Sequence, residues 1–171
     1  DHIGGVREIA AMSGAEVFMH AADAERLRIG VREALVGLRP SAIVALLTRG
    51  PEDARPLEDG SVLPGLGGLE VVHTPGHTPG SVCLYARAHR LLIVGDVLQV
   101  IRGRLSLPSH LFTEDMALAR RSIARLAELD VETICFAHYP TWRSGGRQAL
   151  RDLAGRELGS WSEEGDEAWR H

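Results

Sequence analysis

The sequence contains few cysteines, and it has no apolar run long enough to span a membrane. Its two cysteines, Cys83 and Cys135, lie in separate strand-like runs of apolar residues. We interpret both as buried thiols rather than as a disulfide or a metal-binding pair. Reduced thiols suit the cytoplasm, so a cytoplasmic location is predicted, and no signal peptide is visible. Because no apolar run approaches the ~20 residues of a membrane span, no membrane partner is expected.

The sequence also lacks an excess of positive charge, with 19 lysine and arginine residues against 23 aspartate and glutamate residues. The 171 residues carry a formal net charge of −4 at pH 7. A broad basic surface is therefore not indicated, and no nucleic-acid partner is expected. The apolar fraction of 44% is ordinary for a globular protein. We predict a single domain over residues 1–171, with an acidic tail over residues 159–171.

Strand-like and helix-like segments alternate along the chain, which predicts a mixed α/β (α+β) fold. The first helix is expected to end at Gly14, and a hairpin is expected to turn around residues 87–90. The clearest helix covers residues 113–130, where Thr113 is the candidate N-cap and two acidic residues follow it. A last amphipathic helix is predicted over residues 146–158.

The segment HTPGHTPGS, residues 73–81, predicts a rigid loop that holds a histidine. Each proline fixes its own φ and restrains the threonine before it, while the glycines allow tight turns. The loop can therefore hold His77 in a fixed direction, with Ser81 as a supporting hydrogen-bonding group. His73 lies at the end of a strand and is interpreted as a structural residue or as a supporting group beside the site, rather than as a ligand.

Five polar residues lie where the ends of strands and the start of a helix are expected to converge. Asp96 follows the run LLIVG, His138 follows TICFA, His77 follows LEVVHT, and Asp1 and His2 precede the first helix. Taken alone, each could be a cap, a turn residue or a backbone-bonded side chain. Taken together, they form a set of nitrogen and oxygen ligands suited to zinc, or to iron or manganese.

The stretches DHIGG, HTPGHTPGS, IVGD and ICFAHYP occur in an order that resembles the metallo-β-lactamase superfamily. Residues 1–158 are most similar to its glyoxalase-II-like and lactonase-like hydrolases. The resemblance implies an αββα sandwich. It also implies that the chain begins inside the family's His-x-His-x-Asp-His motif. The domain is therefore expected to be N-terminally incomplete and to lack its N-terminal strands.

The resemblance also implies the metal ligands. Asp1 and His2 match the last two residues of that motif, His77 the next histidine, Asp96 the bridging carboxylate and His138 the last histidine. His77 would bind the first metal ion, while Asp1, His2 and His138 would bind the second. Two zinc ions are expected, with iron or manganese as alternatives.

The chemistry implied by the resemblance is hydrolysis of a small-molecule ester, thioester or lactone by a metal-bound hydroxide. Asp1 and Asp96 would then be catalytic as well as metal-binding. Tyr139 directly follows a proposed ligand, so its hydroxyl is a candidate donor to the substrate. A tyrosine that only packs is the alternative, and a homodimer stays open.

Two other interpretations stay open. One is a mononuclear iron oxygenase of the same fold, and the other is a catalytically inactive member of the family. The activity of the chain as given also stays open, because the His-x-His half of the motif is not in it. Without that half, the first metal site would keep only His77 and Asp96.

Overall fold

The computed structural model describes residues 2–25 and 54–159, and the chain divides into two compact units, Asp1–Asp59 and Gly60–His171. Asp1 and the tail beyond Gly159 lie outside the described residues. The acidic tail therefore stays a prediction, as does the single domain over residues 1–171.

In its described residues, the first unit contains a short helix, helical residues 21–25 and a two-stranded parallel sheet. Helix α1, Val6–Ser13, ends at Gly14, whose φ of 68° is left-handed and whose N–H donates to the carbonyl of Ala10. This confirms the predicted end of the helix, because a left-handed glycine is a common helix stop. Strand β1, Phe18–His20, pairs in parallel with β2, Arg55–Leu57.

Over residues 60–159, the second unit combines a five-stranded sheet, a separate hairpin and two helices. The sheet strands are β3, Val62–Leu63; β4, Leu69–His73; β5, Val82–Ala86; β6, Leu91–Ile93; and β9, Thr133–Cys135. The hairpin consists of β7, Gln99–Ile101, and β8, Arg104–Ser106. The helices are α2, Met116–Leu126, and α3, Gly146–Gly159. The predicted turn between β5 and β6 is confirmed as a short 3-10 helix, Arg87–His89.

Three strands of this sheet end at the same edge. The strand order is β3–β4–β5–β6–β9, with β5 antiparallel to both β4 and β6, and β9 parallel to β6. Strands β4, β6 and β9 therefore run in one direction, and the segments that follow them leave the sheet side by side. This shared edge brings together residues that are far apart in sequence.

Helices α2 and α3 pack on the sheet to form one apolar core. Its largest fully buried side chains include Leu92 and Ile134 from the sheet, Ile123 from α2, and Leu150 and Leu153 from α3. Burying a side chain of this size contributes about 1.5–3 kcal/mol relative to leaving it in water. This core fixes α2 against the sheet beside the shared strand edge.

The loop after β4 docks onto α2 at Gly76. The Gly76 carbonyl accepts a hydrogen bond of 2.9 Å from the N–H of Asp115, and the Ser122 hydroxyl donates to the Pro75 carbonyl over 2.8 Å. Gly76 has a φ of +138°, and a Cβ there would lie 2.3 Å from the backbone nitrogen of Ala119. Both the backbone conformation and the close approach therefore require glycine.

The start of α2 corrects the sequence prediction. Thr113 is not the N-cap: Asp115 holds that position, and its carboxylate accepts a hydrogen bond of 2.9 Å from the N–H of Leu118. The N–H groups of Glu114 and Asp115 are engaged by the carbonyls of the docked loop. The helix therefore begins after these residues, and Thr113 is left outside it.

The two cysteines differ in burial. Cys83 is fully buried in β5, as predicted, and burial raises the pKa of its thiol to about 12. Cys135, at the end of β9, is only partly buried, so the predicted burial is incomplete there. Both thiols are free, which confirms that they form no disulfide.

No helix within residues 2–25 and 54–159 is both long enough and apolar enough to cross a membrane. The longest, α3, has 14 residues, whereas a span needs about 20.

We expect Gly76→Ala to lower the free energy of unfolding by about 3 kcal/mol, because the new methyl group would meet the backbone of Ala119. Gly60→Ala is the matched control: its φ is also positive, at 78°, but no atom lies within 4 Å of its Cβ position. The control should lose only about 1 kcal/mol. Urea denaturation measures both variants, and equal losses would contradict the close approach.

Candidate metal centre

The shared strand edge brings Asp96 and His138 together. Asp96 lies three residues after β6, and His138 lies three residues after β9, whose last residue is paired with the last residue of β6. Beyond the strands, the N–H of Ala137 donates to the carbonyl of Gly95 over 3.4 Å. The pairing of the two segments therefore continues almost to Asp96 and His138, the candidate functional residues.

The Asp96 carboxylate faces two histidines. Its Oδ1 lies 3.4 Å from Nε2 of His138, and its Oδ2 lies 3.8 Å from Nε2 of His77. Two ligand atoms bound to one tetrahedral zinc ion at ~2.1 Å stand about 3.4 Å apart. The observed separations suit shared coordination better than direct hydrogen bonds, which are usually shorter.

The ligand atoms of His77, Asp96 and His138, and the exposure of these side chains, suit a metal ion that a substrate can reach. Two imidazole nitrogens around a carboxylate fit zinc, iron or manganese. The side chains of His77 and Asp96 are 20% and 25% exposed, whereas that of His138 is 52% exposed. The group is thus partly shielded from solvent but still accessible to a small molecule through His138.

His77 is oriented by a residue that the sequence analysis assigned to another role. Thr113 Oγ1 lies 3.4 Å from Nδ1 of His77, within hydrogen-bonding distance. With Nδ1 engaged there, Nε2 faces Asp96, which is the arrangement that a metal-binding histidine needs. Thr113 is therefore a candidate functional residue, and its position between the loop and α2 could not be read from helix-cap preferences.

Ser81 and His73 form hydrogen bonds within the loop around His77, in agreement with the supporting roles predicted for them. Ser81 Oγ accepts a hydrogen bond of 3.0 Å from the N–H of Thr78. His73 Nε2 forms a hydrogen bond of 2.9 Å with the Pro79 carbonyl, which supports its structural interpretation. These contacts close the loop on both sides of His77, so the imidazole has little freedom to turn away.

Tyr139 is tied to a residue that no sequence motif indicated. Its hydroxyl donates to Oε1 of Gln99 over 3.2 Å, while the Gln99 amide nitrogen donates to the carbonyl of Leu107 over 2.8 Å. The second bond orients the amide, so the Tyr139 proton points at Gln99. The ring of Phe136 packs edge-on against Tyr139, with 6.0 Å between centroids.

The other two predicted ligands are Asp1 and His2. Asp1 lies outside the described residues. His2 lies in the turn before α1, in the first unit. Their roles as metal ligands stay predictions, as does the catalytic role of Asp1.

The chain belongs to the metallo-beta-lactamase superfamily, whose family profile matches residues 1–138. This match includes all five predicted ligands and confirms the resemblance noted from the sequence motifs.

Similar proteins support the same family. The probable metallo-hydrolase YflN of Bacillus subtilis (strain 168) is 31% identical over 181 residues, which cover 91% of this chain and 67% of YflN. The hydroxyacylglutathione hydrolase of Maricaulis maris (strain MCS10) is 30% identical over 153 residues, covering 88% of this chain and 48% of the hydrolase. The chain thus spans about half to two thirds of these relatives.

Solved structures share the fold. The structure of TTHA1623 in a di-iron-bound form has a TM-score of 0.65 and 28% sequence identity, and the match covers 87% of this chain and 69% of that chain. Together with the family match over residues 1–138, this similarity confirms the predicted α/β fold of the metallo-β-lactamase type.

Thr113→Val should lower the metal affinity of the protein about tenfold, because it removes the hydroxyl beside Nδ1 of His77 while keeping the side-chain shape. Thr133→Val is the matched control, since the Thr133 hydroxyl donates to the Arg143 carbonyl, outside the metal centre. Zinc titration in competition with a chelating dye measures both affinities. Unchanged affinity in Thr113→Val would show that Thr113 does not orient His77.

Proposed function

We propose that this protein is a metal-dependent hydrolase that cleaves an ester, thioester or lactone bond in a small molecule. The observation that carries the proposal is the Asp96 carboxylate, whose two oxygens face Nε2 of His77 and Nε2 of His138. Relatives named as a probable metallo-hydrolase and as a hydroxyacylglutathione hydrolase support it. Acyl groups on glutathione are thioesters, so a thioester is the first substrate class to test.

The proposed metal is zinc, with iron or manganese as alternatives. His77, Asp96 and His138 would hold it, and the family motif adds Asp1 and His2 to the proposed ligands. We propose two ions that share Asp96. The di-iron form named for TTHA1623 keeps iron in consideration. When bound, such ions supply a water nucleophile at neutral pH and polarise the substrate carbonyl.

The protein's own contribution is to hold these ligands in place before the substrate arrives. The loop around His77 is fixed by Gly76 on α2, and the strand ends fix Asp96 and His138. Ligands that need no rearrangement when the metal or substrate binds keep the reacting groups aligned. A thiol nucleophile is not required, and Cys83 is fully buried with a pKa of about 12.

Tyr139 is proposed to contact the substrate through its hydroxyl oxygen. Its proton is directed at Gln99, so the oxygen can accept a hydrogen bond while the Gln99 contact is kept. Donation to a substrate carbonyl, as the sequence analysis proposes, requires that this bond of 3.2 Å be broken.

The alternatives differ in metal content and in products. A mononuclear oxygenase would hold one iron ion per chain and would not hydrolyse thioesters. An inactive member would hydrolyse nothing across a panel of esters, thioesters and lactones. Elemental analysis together with such a panel separates the three.

Asp96→Asn should remove most of the bound metal and lower kcat/KM for thioester hydrolysis at least about 100-fold, because the amide lacks the charge that two ions would share. Asp130→Asn is the control, since Asp130 is exposed and pairs with Arg90 on the surface. Mass-spectrometric metal analysis and thiol release provide the two readouts. Two bound metals and near-normal turnover in Asp96→Asn would refute the bridging role.

Tyr139→Phe should leave the metal content unchanged and lower kcat/KM about tenfold, because only the hydroxyl that meets the substrate is lost. Steady-state kinetics on the metal-loaded protein measure the change. If kcat and KM both stay at their original values, Tyr139 has a packing role only, through its contact with Phe136.

A further inference from the structure

A second concave site lies between the β7–β8 hairpin and α3. This cleft has a volume of about 680 Å³. It is lined by three arginines, one aspartate, a tryptophan and small or apolar residues: Arg104, Arg151, Arg156, Asp152, Trp142 and Leu105 are its main side chains. None of them is a candidate metal ligand, so the cleft and the candidate metal centre share no residue.

The cleft carries excess positive charge on a protein whose net charge is negative. Three arginines and one aspartate line it, in a chain with a formal net charge of −4. Asp152 already accepts a hydrogen bond of 2.7 Å from the Gln148 amide. Arg156 donates to the Leu105 carbonyl over 3.0 Å, which fixes it between the helix and the hairpin.

The other two arginines have their donors available. In the described part of the chain, the guanidinium groups of Arg104 and Arg151 make no hydrogen bond and no ion pair. Each can therefore offer two parallel N–H donors to a phosphate or carboxylate without breaking an existing contact.

Gly155 is one of the residues that line the cleft. It lies inside α3, where glycine is about 1 kcal/mol less favourable than alanine. Neither a positive φ nor a close neighbour requires glycine there, since no atom lies within 4 Å of its Cβ position. Because Gly155 lines the cleft, a larger side chain there would take up part of the cleft volume, so the glycine leaves room for a ligand.

We propose that this cleft binds a small molecule that carries at least two oxyanion groups, either phosphates or carboxylates. Arg104 and Arg151 contact the oxyanions, Arg156 adds charge from a fixed position, and Trp142 offers an aromatic wall for the rest of the molecule. The proposal does not depend on the hydrolase activity, because the ligand is recognised by residues outside the metal centre.

Calorimetric titration of the full chain with pyrophosphate, at low ionic strength, tests the charge. Saturable 1:1 binding is expected. Arg104→Gln and Arg151→Gln should each weaken it about fivefold, since each removes one charge-assisted contact. Arg102→Gln is the matched control: Arg102 is exposed in the turn of the same hairpin but does not line the cleft. Its affinity should be unchanged. A second titration uses succinate in place of pyrophosphate. Tighter binding of succinate indicates a carboxylate ligand, and tighter binding of pyrophosphate indicates a phosphate ligand.

Gly155→Leu tests the space without changing the charge. It should abolish binding by filling the cleft, while circular dichroism stays unchanged because leucine favours the helix. Three results would overturn the proposal: no saturable binding of either anion, equal weakening by Arg102→Gln, or full binding in Gly155→Leu. Binding that appears only after Glu163, Glu164, Asp166 and Glu167 are neutralised would assign the cleft to the chain's own tail, and would overturn it as well.

Discussion

The proposed metal centre depends on the hydrogen bonds between the loop after β4 and the segment that leads into α2. The N–H groups of Glu114 and Asp115 donate to the carbonyls of Gly76 and His77, over 2.9–3.2 Å. Only a glycine at position 76 allows the loop to approach α2 this closely. This contact sets where α2 begins, brings Thr113 to Nδ1 of His77, and turns Nε2 of His77 towards Asp96.

The rest of the centre follows from strand direction. Strands β4, β6 and β9 end at one edge of the sheet. The short segments that follow them therefore bring together His77, Asp96 and His138, although His77 and His138 are 61 positions apart in sequence. The apolar core between the sheet and its two helices holds that edge rigid. In contrast to the apolar core, the proposed anion-binding cleft is lined by exposed arginines on the hairpin and on α3.

Much of this arrangement could be predicted from the sequence, and the failures have physical causes. The strand ends at Asp96 and His138 were readable because continuous apolar runs stop abruptly at them. Thr113, however, was assigned to the helix cap, since threonine and aspartate are both good caps and only the docked loop decides between them. The β7–β8 hairpin was missed because its two-residue turn has Arg102 and Gly103, both with positive φ, where the usual signal is Asn-Gly. Without that hairpin, the contact of Gln99 with Tyr139 could not be foreseen.

The central claim is that Asp96 joins His77 and His138 in one metal centre. The most direct measurement is a crystal structure of the zinc-loaded protein, with anomalous difference maps calculated from data above and below the zinc absorption edge. We predict an anomalous peak about 2.0–2.2 Å from an Asp96 carboxylate oxygen and from Nε2 of His77 or His138, with a second peak on the other side of the same carboxylate if two ions are bound. Zinc peaks found only at other residues, with Asp96 and both histidines free of metal, would contradict the claim.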